Sequence, residues 1–361
     1  MKAIDLFCGC GGLSAGLRDA GFKILAGIDI EKDYIKTFTK NFPNSESICS
    51  DLSKIDSYEL MNRFNLKRGE LDLLAGGPPC QGFSKNVPRS QRLVDSDNNK
   101  LVDVFLSHCE RILPKFILME NVAEMRNGFD QYYTDQIVSR LSNVGYDVIH
   151  GVHNSADYGV PQRRKRAFFI ARRDGIKPIY PKETHSSINE KDGMKKYISV
   201  WDAISDLRPL NSGEGVEPDS YVSKPLNEYQ QYIRNGNKVV FNHIAKKLSK
   251  IQQERMSSLK AGEGIKDLPD HLRPKSGYSG AYGRLTKEMI MPTITRWVFH
   301  PGSGRFGHPV DDRVITIREA ARLHSFKDDF IFIGTYTQQA GQLGNSVPPL
   351  LAKIMGESFL S

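Results

Sequence analysis

One stretch constrains this chain more than any other: Leu71-Asp72-Leu73-Leu74-Ala75-Gly76-Gly77-Pro78-Pro79-Cys80-Gln81-Gly82-Phe83-Ser84. Residues 71–75 are short and mostly apolar, as a strand buried in a parallel sheet must be. Gly76 and Gly77 let a ligand or another backbone come close. Pro78 and Pro79 restrict their own φ and push the residues before them out of the helical region, so the backbone entering Cys80 is stiff. A stiff turn at the carboxyl end of a sheet strand is where α/β proteins place their chemistry. On this stretch alone Cys80 reads equally as a small buried hydrophobe or as a presented, reactive thiol.

The amino terminus has the same organisation. Residues 2–7 predict a first strand, which runs into Cys8-Gly9-Cys10-Gly11-Gly12. A helix follows, with Leu13 and Leu17 on one face and Gly21 as its stop. A strand, a glycine turn and a helix start leave backbone N–H groups open to an anion, although the same turn also serves as a bare connection. The second strand, 23–28, ends at Asp29, placed to accept from ribose hydroxyls. Glu31 is a rival for that role, and a solvated loop acid is the plain alternative.

Further strands are expected at 47–50 (ending at Asp51), 71–75, 116–119, 148–153 and 167–171, and helices at 32–41, 100–113 and 136–143. Glu120-Asn121-Val122 directly follows the fifth strand, which puts Glu120 at the sheet edge that carries Cys80 and Asp29, or makes it a cap for the next turn. Arg163, Arg164, Lys165 and Arg166 adjoin a strand start. Alternate strand residues share a face, so Arg164 and Arg166 together offer two guanidinium forks to a planar polar ligand or a phosphate; otherwise they form a basic surface patch.

The 361 residues suffice for two domains. A hydrophobic share of 39% and a charged share of 25% exclude a disordered chain. No apolar run reaches membrane-spanning length, and residues 1–6 enter a strand without a signal-peptide core, which points to the cytoplasm. Cys8, Cys10, Cys49, Cys80 and Cys109 show neither disulfide-framework nor zinc spacing, so reduced thiols and no metal are expected. A net charge of +8 weakly favours a polyanionic partner.

Residues 85–99, KNVPRSQRLVDSDNN, are long for a loop inside a compact domain. Lys85, Arg89 and Arg92 can meet phosphates there, although solvated charges are the commoner fate of such residues. After about Arg173 periodicity weakens and prolines and glycines multiply, with one convincing helix at 243–259. Thr316 and Glu319 form a capping box, and Gly344-Asn345-Ser346-Val347-Pro348-Pro349 leads into a last helix at 350–359. The expected division is 1–173, a smaller domain at 174–311, and a return segment at 312–361.

Taken in order, these blocks resemble the cytosine-C5 DNA methyltransferases of bacterial restriction–modification type. The blocks are Asp5-Leu6-Phe7-Cys8-Gly9-x-Gly11-Gly12, Gly77-Pro78-Pro79-Cys80-Gln81-Gly82-Phe83-Ser84, Glu120-Asn121-Val122, Gln162-x-Arg164-x-Arg166, Arg318-Glu319-Ala320-Ala321-Arg322-Leu323 and Gly344-Asn345-Ser346-Val347-Pro348-Pro349. They cover roughly the first 170 and last 80 residues. Asp29, His324 and Lys327 depart from the residues most frequent in the family.

The resemblance implies an α/β, Rossmann-like sheet that uses S-adenosylmethionine, plus a smaller target-recognition domain. Phe7, Gly9, Gly11, Gly12, Asp29, Ile30, Asp51, Leu52, Pro79, Leu101, Asn345 and Val347 would hold the cofactor. Cys80, Glu120, Arg164 and Arg166 would be catalytic, and Gln81, Ser84, Lys85, Arg89 and Arg92 would meet DNA. A thiolate adding at carbon 6 makes carbon 5 of cytosine enamine-like, and cysteine suits both attack and departure. Glu120 would need a proton to share with the ring, hence a raised pKa. Arg164 and Arg166 would stabilise charge near the ring O2. The base must leave the duplex, with the 85–99 loop closing behind it and the smaller domain reading the major groove.

A monomer follows from the resemblance, with double-stranded DNA as partner. A cognate restriction endonuclease would be encoded nearby, with no direct contact implied. A tRNA methyltransferase and a non-catalytic DNA-binding protein of the same fold are the competing readings. A nicotinamide oxidoreductase accounts for the first glycine turn but not for the Pro-Pro-Cys or Glu-Asn-Val blocks.

Overall fold

The computed structural model describes residues 1–79, 100–126, 131–187, 193–275 and 277–360. They divide into two compact units: Met1–Ser155, Lys165–Glu183 and Val347–Ser361 in the first, Ala156–Arg164 and Thr184–Ser346 in the second.

The first unit is built on a seven-stranded sheet. Its strands are β1 (Lys2–Leu6), β2 (Lys23–Asp29), β3 (Glu46–Cys49), β4 (Leu73–Gly76), β5 (Phe116–Val122), β6 (Asp147–Asn154) and β7 (Lys165–Arg172), in spatial order β3-β2-β1-β4-β5-β7-β6. The first five run parallel, and β7 is antiparallel to both its neighbours. β4 is buried along its whole length between β1 and β5, which is why its sequence does not alternate.

Helices α1 (Gly12–Asp19), α2 (Lys32–Asn41), α3 (Ser57–Asn62), α4 (Lys100–Ile112) and α5 (Tyr132–Asn143) connect the strands. One apolar core joins Ile4, Leu74, Phe105, Ile117 and Phe169. The carboxyl-terminal helix Pro349–Glu357 closes against α1 at Gly16, where an added Cβ would collide with the Pro349 carbonyl.

The second unit has almost no sheet; its only strands among the described residues are two residues long. Its helices are α6 (Val200–Ile204), α7 (Glu228–Arg234), α8 (Lys250–Ser258), α9 (Ile317–Leu323) and α10 (Tyr336–Asn345), and the last helix of the first unit is therefore α11. A buried charge network ties these pieces together. Arg322 is paired with Asp206 and Asp328, Arg234 with Asp206, and Arg313 with Glu319. Arg318 donates to the Phe241 and Phe330 carbonyls.

Three expectations are corrected. The division falls at Thr184 and Val347 rather than at 174 and 312, because Arg313, Arg318 and Arg322 spend their guanidinium groups on residues of the second unit. The helix expected at 243–259 begins at Lys250: Ser249 and Gln252 form a capping box there, while His243 is buried between the Arg208 carbonyl and Thr316. β5 runs on through Val122, so Glu120 lies within the strand and caps no turn. The capping box of Thr316 and Glu319 starts α9 as the sequence indicates.

Candidate active site

The turn after β1 is held in a conformation few residues adopt. Phe7, Gly9 and Gly11 have φ of 59°, 56° and 101°. At Gly11 an added Cβ would also strike the Phe42 ring, so this position admits only glycine. The Asp29 carboxylate braces the turn: Oδ2 accepts from the Gly9 N–H at 2.8 Å and Oδ1 from the Glu31 N–H at 2.9 Å. Burial raises the Asp29 pKa, and those two N–H groups oppose the shift.

Beneath the turn, Asp5 is 1% exposed. Its Oδ2 accepts from Ser14 Oγ at 2.5 Å, and its Oδ1 has no hydrogen-bond partner among the described residues. Burial pushes the Asp5 carboxyl up to about 7. Gly11 precedes α1 and offers it no side-chain cap, and the helix has no acid in its first turn.

At the next strand ends, two sequence blocks come together. Glu120 Oε1 pairs with Arg166 Nε at 2.8 Å, with both side chains largely buried. The register explains the contact: Glu120 faces Phe168 and Val122 faces Arg166, so the pair lies diagonally on one face of the β5–β7 ladder. A Cβ built on Gly77 would come within 3.1 Å of Glu120 Oε2, and Asn121 Nδ2 donates to the Pro78 carbonyl at 2.9 Å. The Gly-Pro-Pro turn is thus pinned beside the acid, and the chain continues from it into Cys80. Cys80, Gln81, Ser84, Lys85, Arg89 and Arg92 lie outside the described residues.

The model of the family described as C-5 cytosine-specific DNA methylase matches residues 1–361. The chain belongs to this family. It is 35% identical to the Type II methyltransferase M.DdeI of Desulfomicrobium norvegicum, over 99% of this chain and 88% of that protein. It is also 35% identical to the Type II methyltransferase M1.HphI of Haemophilus parahaemolyticus, over 99% and 86% of the two chains. The crystal structure of a proposed DNA modification methyltransferase encoded in an E. coli prophage superposes with a TM-score of 0.79 at 27% identity, covering 100% of this chain and 98% of that one. The protein is a DNA (cytosine-5)-methyltransferase, and family and fold together imply S-adenosylmethionine as its methyl donor.

Within the methyltransferase, Ile30 is 63% exposed beside the braced Asp29, and Pro79 is exposed at the end of the proline turn. Asp51 Oδ1 accepts from both the N–H and the hydroxyl of Ser53. Leu52 is buried in the core, and its carbonyl faces His108 Nε2 at 3.1 Å. Leu101 lies half-buried in the first turn of α4. Asn345 ends α10 in the second unit, and Val347 is buried in the first.

Arg164 is the clearest departure. It precedes β7 instead of sharing a strand face with Arg166, and it is 1% exposed. Its fork donates to the carbonyls of Ile294 (3.0 Å), Gly344 (2.9 Å) and Ser346 (3.1 Å). A guanidinium held this way orders backbone within the second unit and is not open to a ring oxygen. The Arg166 guanidinium lies directly against the Glu120 carboxyl. Asp5 went unrecognised as a site residue, although the argument for Asp29 and Glu120, an acid at an apolar strand, applies to it equally.

Proposed function

We propose that this enzyme methylates carbon 5 of a cytosine flipped out of a specific duplex DNA site, with Cys80 as nucleophile, as the modification half of a cytoplasmic restriction–modification system. The observation that carries the reading is the Glu120–Arg166 pair seated against the Gly77-Pro78-Pro79 turn that leads into Cys80.

The residues of the first turn fit S-adenosylmethionine. The uncapped start of α1 suits the methionine carboxylate, and the unpartnered Asp5 Oδ1 suits its ammonium. Asp29 would meet the ribose, and the exposed face of Ile30 the adenine. When bound, the cofactor supplies an electrophilic methyl on a sulfonium centre.

The chain's own residues do the rest. The Cys80 thiolate adds to carbon 6, the ring loses its aromaticity, and carbon 5 becomes nucleophilic. Glu120, having taken a proton from solvent, donates it to ring N3 as charge builds there and accepts from the exocyclic amine. Arg166 fixes Oε1, so the carboxylate keeps one orientation through the reaction. After a base removes the carbon-5 proton, Cys80 leaves. Lys85, Arg89 and Arg92 track phosphates around the extruded nucleotide, and Gln81 and Ser84 flank it.

Duplex carrying 5-fluorocytosine at the target tests this directly, because fluorine cannot leave as a cation. With S-adenosylmethionine present, the wild type should form a denaturation-resistant adduct and Cys80→Ser none. An adduct that survives Cys80→Ser, or no adduct on a site the enzyme normally methylates, sinks the mechanism. Bisulfite sequencing of DNA from cells expressing the enzyme identifies the site.

A further inference from the structure

The second unit presents one arginine in an unusual setting. The segment 291–296 is seated by backbone contacts along its length. Met291 forms a bridge with Gln162, and the Arg163 N–H donates to the Met291 carbonyl at 2.8 Å. The Ile294 N–H donates to Gln162 Oε1 at 2.9 Å, while the Ile294 carbonyl accepts from Arg164. At Gly344 the backbones of α10 and residues 295–296 lie so close that an added Cβ would collide with the Arg296 nitrogen. Beyond this seat the chain turns back on itself: the Trp297 carbonyl accepts from Ser303 Oγ at 2.6 Å and from the His300 N–H at 2.9 Å.

Two large side chains project from that rigid tip. Trp297 is 51% exposed, although an indole normally buries most of its area. The exposed Arg296 lies over it, 5.7 Å from the ring centroid. Arg296 makes no hydrogen bond or ion pair among the described residues, whereas Arg313, Arg318 and Arg322 of the same unit each make several. The guanidinium sits within cation–π range of the indole, and the exposed arginine keeps its N–H donors available. A fork held in this way matches the O6 and N7 acceptors of guanine in the major groove, and the fixed backbone supplies the register that base reading needs.

We propose that Arg296, supported by Trp297, reads a guanine in the recognition site of this enzyme. The inference rests on duplex DNA being the substrate. It assigns the base readout expected of the smaller domain to a particular residue. Gln162 and Arg164 act here as positioning residues, since they hold the segment that carries Arg296.

The test is methylation of the cognate duplex and of duplexes with each base pair replaced in turn, by wild type, Arg296→Ala and Arg296→Gln. Arg296→Ala should lose about ten- to a hundredfold on the cognate site and stop discriminating at one guanine position, with discrimination elsewhere retained. Arg296→Gln should shift preference at that position towards adenine, the base a glutamine amide matches. Arg164→Lys should relax the same position and no other. Melting temperature and S-adenosylmethionine affinity should stay at wild-type values in the Arg296 variants, because the side chain supports nothing in the fold. Equal slowing on every duplex, with a shallower salt dependence, would mean a phosphate contact and overturn the proposal, as would unchanged specificity. If the wild type methylates no duplex, the reading of the substrate itself fails; if it methylates its site and only the Arg296 variants are unaltered, this inference alone fails.

Discussion

The two units of this methyltransferase hold themselves together by different physics. The first is an apolar sheet core, with Leu74, Phe105, Ile117 and Phe169 excluded from solvent. The second has little sheet, and its largest fully buried side chains include Arg313, Arg318 and Arg322. Hydrophobic burial is non-directional and tolerates variation in shape, so it suits a scaffold that must only deliver a few groups to one edge. Charge-assisted hydrogen bonds are directional, and the Arg318 and Arg322 guanidinium groups fix carbonyls or carboxylates on separate segments. That suits a region made of loops, whose positions rather than whose packing must be specified.

The sharpest way to separate the two regions is through the chemistry. Glu120→Gln should lower the methylation rate about 10²–10⁴-fold, because the amide cannot share a proton with the base. S-adenosylmethionine affinity and melting temperature should be retained, since Arg166 keeps a hydrogen-bond acceptor. A rate within a few-fold of wild type would leave Glu120 a structural residue.

The second prediction acts on stability. Arg322→Ala leaves Asp206 and Asp328 facing a cavity without their shared cation, which should cost about 3–5 kcal/mol by denaturant melt. A loss under about 1 kcal/mol would show that the network is ornamental and that the contrast between the units is overstated.

The third and smallest effect is a difference in pH response. In the second unit, Arg313 beside Glu319 and Arg322 beside Asp328 hold those carboxyls below their usual range. Their folded pKa values are lowered, so their stabilisation is present above the unfolded carboxylate pKa of about 4 and is lost as pH falls below it. Asp5 has the opposite sign: its folded pKa is raised to about 7, so its contribution is greatest in acid and is lost as pH rises towards 7. Asp5→Asn should remove that slope and stabilise the ligand-free enzyme above neutral pH. It should also abolish a gain in S-adenosylmethionine affinity that the wild type shows as Asp5 ionises, measured by calorimetry between about pH 6 and pH 8. A wild-type affinity flat over this range would remove Asp5 from the cofactor site.

Much of the first unit was legible in the sequence. Strands such as β2 and β4 announce themselves as apolar runs ending in an acid or glycine, and the turn at Gly11 does so through a residue that no other side chain replaces. Helix α9 was legible for the same local reason, its capping box spanning three residues. The start of α8 was misplaced because the periodicity of 243–249 resembles a helix, while His243 is claimed by a carbonyl 35 residues away. Nothing near Asn242 or His243 in the chain advertises that contact.

What the sequence by itself determined is the family and the sheet class, together with the candidate reacting groups, because each is written in short blocks whose meaning depends on neighbours a few residues away. Only the tertiary structure decided how those groups are used. Arg164 and Arg166 stand two residues apart, yet one serves carbonyls 130, 180 and 182 positions distant and the other clasps Glu120 across a strand pair. Asp5 is an ordinary strand acid in the sequence, and burial, with the Asp29 charge adding to it, pushes its carboxyl up to about 7. Burial and strand register are properties of the whole chain closing on itself, so no local pattern encodes them.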